Sequence, residues 1–219
     1  MTAASAGGSD GGRPAPVPEL RDVEQHWPVS GRPRRAKGAF VVLRTDRVRM
    51  PDGQALRDVV EHPGAVAIVA LDEAGQVLLI RQYRHPVQRL LWEIPAGLRD
   101  VPGEPARRTG ERELREETGY AARTWHVLTD CFTSPGISTE RVTVFLARGL
   151  AEVPEPERGP PLQHEEAQLQ YAWVPLDRAV QLFLAGELHN GVTAMGILAA
   201  YASRQGGFAT LREAGAGER

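Results

Sequence analysis

The sequence predicts an α/β (α+β) fold in which strands and helices pack as a sandwich. Three observations predict it. Apolar runs of strand length recur on both sides of one charged helical stretch. That stretch, residues 105–118, is bounded by Pro105 and Gly119. Two more helical patterns close the chain, over residues 177–184 and 192–203. Strands flanking a central helix, with helices at the end, bury their apolar faces as layers.

The elements follow in order. Residues 1–20 are rich in Gly, Ala, Ser and Pro and are expected to be disordered. "AFVVLRTDRVRM" (39–50) alternates as a strand, "PDG" turns the chain, and "ALRDVVEH" (55–62) returns. "AVAIVALD" (65–72) and "QVLLIRQYR" (76–84) are almost continuously apolar and read as a buried hairpin around "EAG". "LLWEIPAG" (90–97) is a short strand ended by Pro95, Ala96 and Gly97. The charged helix comes next. "TWHVLTDCF" (124–132) and "RVTVFLARGL" (141–150) are strands separated by the loop "TSPGISTE" (133–140). A proline-rich loop, "AEVPEPERGPPLQHEE" (151–166), precedes the strand "LQYAWVPL" (169–176). Asp177 is placed to cap a helix, and an apolar helix, "VTAMGILAAYAS" (192–203), follows "HNG". The tail, 206–219, ends in "REAGAGER" and is expected to be loose.

The chain has 219 residues, 42% hydrophobic and 25% charged, which fits one medium domain with tails. A net charge of −2 gives no basic field for nucleic acid or an anionic membrane. The longest apolar runs fall far short of a membrane span. The N-terminus has neither the apolar nor the basic region of a secretory leader. One cysteine, Cys131, permits no intrachain disulfide and reads as a buried thiol. The expected location is the cytoplasm.

The charged helix carries "RELREETGY" (112–120). At about 100° per residue, Glu113 and Glu117 lie about 40° apart, and Glu116 about 60° to the other side of Glu113. The three carboxylates share one stripe. Glu111 is four before Arg115, and Arg112 four before Glu116, both useful ion-pair spacings. Glu113 and Glu117 have no basic residue three or four away. Such crowding calls for a compensating charge from elsewhere, and hard divalent cations bind clustered carboxylates. Gly110, in mid-helix, suggests close packing on the sheet.

Widened to "GLRDVPGEPARRTGERELREETGY" (97–120), the stretch resembles the Nudix box. Gly97, Glu104, seven residues, then Arg112, Glu113, Leu114, Glu116, Glu117, Gly119 and Tyr120 follow its order. The spacer after Gly97 is one residue longer than usual, and Tyr120 stands where an aliphatic residue is common. The resemblance implies a Nudix-type α/β/α sandwich with a mixed sheet. It implies Mg²⁺ or Mn²⁺ held by Glu113, Glu117, Glu116 and the carbonyl of Ala96, with Glu116 also catalytic. Glu104 and Arg112 become a structural ion pair.

The likeness extends over residues 38–200 to the ADP-ribose pyrophosphatase branch, through "RQYRHPV", "LLWEIPAGL", "TSPGISTE" with Pro135, and "HEEA". The activity it implies is metal-dependent hydrolysis of ADP-ribose to AMP and ribose 5-phosphate. Alternatives are another nucleoside diphosphate derivative (GDP-mannose, NADH or a dinucleoside polyphosphate), or a non-catalytic ADP-ribose-binding module; every box glutamate is retained, which disfavours the last. By the same likeness Arg84 contacts phosphate, Glu93 is metal-linked or touches ribose, Glu140 touches the terminal ribose, and Glu166 is the general base, beside Glu165. Arg81 and Arg84 are read as pointing to one face of their strand. Residues 21–62 are an N-terminal β region exchanged in a homodimer, with Arg57 reaching the adenine, and 63–205 are the catalytic domain.

Overall fold

A computed structural model describes residues 20–160 and 169–216. Three strands form an antiparallel N-terminal sheet: β1 (Val29–Lys37), β2 (Val42–Met50) and β3 (Gly53–Glu61). The strand β4 (Ala65–Ala70) then enters a five-stranded sheet. Its companions are β7 (Ala96–Leu98), β8 (Tyr120–Phe132), β9 (Arg141–Glu152) and β11 (Arg212–Glu213), in the order β11-β8-β9-β4-β7. A third sheet has the order β10-β5-β6, from β5 (Gln76–Arg84), β6 (Arg89–Glu93) and β10 (Gln170–Pro175). Helix α1 (Ala106–Thr118) lies on one face of the five-stranded sheet, and α2 (Leu176–Leu184) and α3 (Gly191–Gln205) on the other.

Strand alternation explains the layers. In β4, Val66 and Ile68 pack with Leu114, Trp125 and Phe145 on the α1 side. Ala67 and Val69 pack with Leu146, Leu176 and Ile197 on the α3 side. Burial of both faces is why the strand reads as continuously apolar. The sheet is mixed, because β4 runs parallel to β9 and antiparallel to β7.

Four expectations are corrected. The strands β4 and β5 are not a hairpin. Their backbones pair at a single bridge, Leu71 with Val77, although their side chains share the core; β4 pairs with β7 and β9, and β5 with β6 and β10. A strand apolar on both faces carries no record of its partner. The strand β1 passed unseen, because "VSGRPRRAK" is solvent-exposed and proline-interrupted at a sheet edge. Asp177 does not cap α2; Pro175 holds that position, and Asp177 pairs with Arg204 at 2.7 Å. Residues 206–216 are not loose: β11 pairs with β8, Arg212 holds Asp130 at 2.6 Å, and Ala214 is buried. Residues 1–19, Glu165 and Glu166 lie outside the described residues.

Candidate active site

Helix α1 is built to stand against the sheet. A Cβ on Gly110 would lie 3.3 Å from the Trp125 ring and 3.6 Å from Phe145. The glycine therefore brings the helix close, as its mid-helix position suggested. Gly119 ends the helix at φ 73°, its N–H donating to the Arg115 carbonyl at 2.9 Å. Residues 105–119 thus present the glutamate stripe to β7. There the fit is tighter still. A Cβ on Gly97 would fall 2.1 Å from the Glu113 carboxyl carbon, so only glycine leaves room for that carboxylate. The Ala96 N–H donates to Glu117 Oε2 at 3.0 Å.

Glu117 is only 4% exposed. Tyr171, from β10, donates its hydroxyl to the Glu117 carbonyl at 2.7 Å. Burial, then the Glu117 charge, pushes the Tyr171 pKa up and keeps it a donor. Arg112 is central. It reaches Glu113 at 2.7 Å, Glu116 at 3.3 Å and Glu104 at 3.5 Å. Burial works against its charge, but Glu113, Glu104 and Glu116 together raise its pKa above the ordinary value. The expected Glu104–Arg112 pair is present. Glu113, expected to have no basic partner on its helix, finds Arg112 next door. Glu111 pairs with Arg107 and Arg108, at 2.7 and 2.8 Å, in place of the expected Arg115.

These groups wall a cavity of about 840 Å³. Ala96, Gly97, Arg112, Glu113 and Glu117 line one stretch of it. Arg84 and Glu93 line another. Glu93 is 3% exposed and lies in a bidentate grip, Arg84 Nε to Oε1 at 3.0 Å and Nη2 to Oε2 at 2.6 Å. The buried glutamate is thereby paired, as its apolar surroundings required. Glu140 lines the cavity as well, with His62, Thr133 and Cys131. Burial, Asp130 and Glu140 raise the Cys131 pKa, which suits an inert thiol.

Not every expected residue meets there. Glu116 turns toward Arg112 and packs by Gly159, outside the cavity lining. Arg57 is exposed on β3, its guanidinium on the Leu56 carbonyl and Met50, away from the cavity of its own chain. Pro135 shapes the turn that brings the Ser138 N–H to the Ser134 carbonyl at 2.8 Å. Arg81 and Arg84 do not share a face. Three positions apart on a strand, they point oppositely: Arg84 into the cavity, Arg81 over Trp92 at 5.8 Å in a smaller hollow. Gln82, Asn190 and Thr193 line the cavity without having been foreseen. The Thr193 hydroxyl accepts the Ile94 N–H at 3.0 Å, while Asn190 caps α3. Asn190 before an apolar helix was a readable cap signal; Gln82 had none.

The charge of the cavity decides what it can hold. Glu93, Asp100, Glu113, Glu117 and Glu140 line it against Arg84 and Arg112. Among the described residues, no three acidic, histidine or cysteine side chains converge on one point, because Arg112 and the Ala96 N–H hold the carboxylates. The donor set nevertheless fits a divalent cation. Its members are hard oxygens, they share one helix face beside β7, and their negative charge exceeds what the arginines balance.

The match to the NUDIX domain runs over residues 61–194, and the chain belongs to that family, the Nudix hydrolases. An "ADP-ribose pyrophosphatase" of Mycobacterium tuberculosis is 51% identical over 77% of this chain and 80% of its own length. One from Bacillus subtilis is 37% identical over 73% of this chain and 84% of its own. The fold matches an "ADP compounds hydrolase" crystal structure with TM-score 0.70, covering 85% of this chain and 98% of the other at 18% identity. Among the described residues, no helix is long and apolar enough to cross a membrane.

Proposed function

We propose that this protein hydrolyses ADP-ribose to AMP and ribose 5-phosphate with Mg²⁺ or Mn²⁺. The observation that carries the reading is the excess of carboxylates over arginines around the cavity. A pyrophosphate enters such a site only with cations beside it. Glu113, Glu117 and the Ala96 carbonyl would hold a cation, with Glu116 swinging in from Arg112. When bound, divalent cations neutralise the pyrophosphate, polarise phosphorus and acidify water.

The chain's own groups do the rest. Arg84, its inner edge fixed on Glu93, presents its guanidinium to a phosphate oxygen. Glu93 keeps that fork oriented. Glu140 meets the terminal ribose. Glu166 takes a proton from the attacking water, and the bridging oxygen leaves with the other phosphate. The names of the relatives favour ADP-ribose.

A homodimer completes the reading. The sheet β1-β2-β3 exposes Val29, Leu43 and Leu56. It joins the described catalytic fold through the end of β3, where Val60 N–H meets the Ile137 carbonyl at 2.7 Å. A partner covering those apolar groups would bring Arg57 to its site. The same reading places the protein in the cytoplasm, acting on a small nucleotide sugar and not on nucleic acid.

Product analysis tests this. Purified protein with Mg²⁺ is given ADP-ribose, GDP-mannose, NADH and diadenosine polyphosphates. The expected result is AMP from ADP-ribose at the highest kcat/KM, from a dimer by light scattering. A higher kcat/KM on another compound overturns the substrate. Binding without cleavage overturns catalysis.

A further inference from the structure

We propose that His62 contacts substrate and, with Glu140, reads one hydroxyl of the sugar distal to adenosine. The inference rests on the ADP-ribose reading above.

His62 follows β3 and lines the cavity. Its Nδ1 accepts the Gly64 N–H at 3.0 Å. A ring nitrogen that accepts carries no proton, so in the neutral ring Nε2 is the N–H. That Nε2 lies 3.6 Å from Glu140 Oε1. The separation is too long for a good hydrogen bond. Both groups are fixed. The Phe40 ring stands edge-on to His62, centroids 5.7 Å apart at 86°. The Thr133 hydroxyl donates to Glu140 Oε2, and the Glu140 N–H donates to Ser138 Oγ at 3.1 Å. The loop itself is clamped to β3, with Thr139 N–H on the Val60 carbonyl at 3.0 Å.

A donor and an acceptor, each immobilised and not bonded to each other, face one cavity. A hydroxyl oxygen can sit about 2.8 Å from each, accepting from Nε2–H and donating to Oε1. A phosphate or carboxylate can accept but not donate, and Glu140 repels it. This pair therefore selects a sugar hydroxyl and not a phosphate. Its place in the cavity that also holds Glu113 and Glu117 assigns it to the substrate.

Two substitutions separate contact from scaffolding. In His62→Asn the amide oxygen can still accept from Gly64 N–H, but the donor toward Glu140 is gone. In His62→Gln the amide nitrogen reaches the Nε2 position. Steady-state kinetics would be run on ADP-ribose and on analogues lacking one distal-ribose hydroxyl. His62→Asn should raise KM for ADP-ribose about tenfold, the worth of one hydrogen bond to a fixed group, with kcat within about threefold. His62→Gln should recover most of it. One deoxy analogue should cost wild type about tenfold and cost His62→Asn nothing more. Wild-type behaviour of His62→Asn overturns the inference, as do penalties that multiply on every deoxy analogue. Equal damage in both variants makes His62 structural. If wild type fails on ADP-ribose but cleaves another nucleotide, the substrate reading falls and takes this inference with it. Turnover of ADP-ribose with an indifferent His62→Asn fells the inference alone.

Discussion

Two stretches of the cavity wall are built by different means. The wall of α1 is local. Glu104, Arg112, Glu113, Glu116 and Glu117 lie within fourteen positions, and one arginine ties three of the four carboxylates together. The wall around Glu140 is long-range, with His62 and Thr139 joined across 77 positions. The local wall holds excess charge and, in the proposed reaction, serves the chemistry. The long-range wall holds balanced donors and acceptors and, in the same proposal, serves recognition. Substitutions in the first should fall on kcat, and in the second on KM.

The largest effect is expected for Glu117→Gln. The amide oxygen can still accept from Ala96 N–H, so melting temperature should change little. Loss of the buried charge should lower kcat by roughly 10²–10³-fold, the scale seen when one electrostatic contributor to a transition state is removed. Metal titration of the residual activity should show weakened Mg²⁺ dependence. Full activity in this variant would break the contrast between the walls.

Gly97→Ala comes next. Its Cβ would overlap the Glu113 carboxylate, which must then swing away or push β7 from α1. A displacement near 1 Å costs on the order of 10²-fold in rate. The expected outcome is a lower kcat with KM for nucleotide nearly unchanged, read by steady-state kinetics at saturating Mg²⁺.

How far each wall was legible follows from the same contrast. A helix repeats every 3.6 residues, so the stripe of Glu113, Glu116 and Glu117 could be placed from spacing alone. Gly110 and Gly119 carried their structural reasons in their positions. The pairing Glu93–Arg84 was half legible: a glutamate in "LLWEIPAG" demanded a partner, but only the β5–β6 register, which opposes Glu93 to Ile80, puts it on the face from which Arg84 reaches along the strand. His62, Gln82 and Tyr171 were illegible. His62 and Tyr171 act on residues from distant segments, Gln82 only lines the cavity, and nothing in "VVEHPG" points to Glu140. The mistaken β4–β5 hairpin has the same origin, since apolar strands record burial but not partners.

Gly110→Ala sharpens the local side. Alanine gains up to about 1 kcal/mol of helix propensity over glycine. Against that, its Cβ meets the buried Trp125 ring at 3.3 Å, and overpacking costs about 1–3 kcal/mol. The net expectation is a loss of about 1 kcal/mol, a fall of roughly 2–4 °C in melting temperature by calorimetry. A rise would mean that α1 can lift from the sheet, and then the carboxylate stripe is held by Arg112 more than by packing.

The smallest effect tests the long-range side. Thr133→Val keeps shape and removes the hydroxyl that donates to Glu140 Oε2. The other carboxylate oxygen still faces His62 Nε2 at 3.6 Å, and the Glu140 N–H keeps its anchor on Ser138, so the wall should loosen without collapsing. One such hydrogen bond is worth about 0.5–1.5 kcal/mol net. KM for ADP-ribose should rise roughly two- to tenfold with kcat within about twofold, and the deoxy analogues should feel less of it. A change in kcat of equal size would mean that Glu140 senses the reacting phosphates as well as the sugar. The division of labour between the two walls would then be one of construction only.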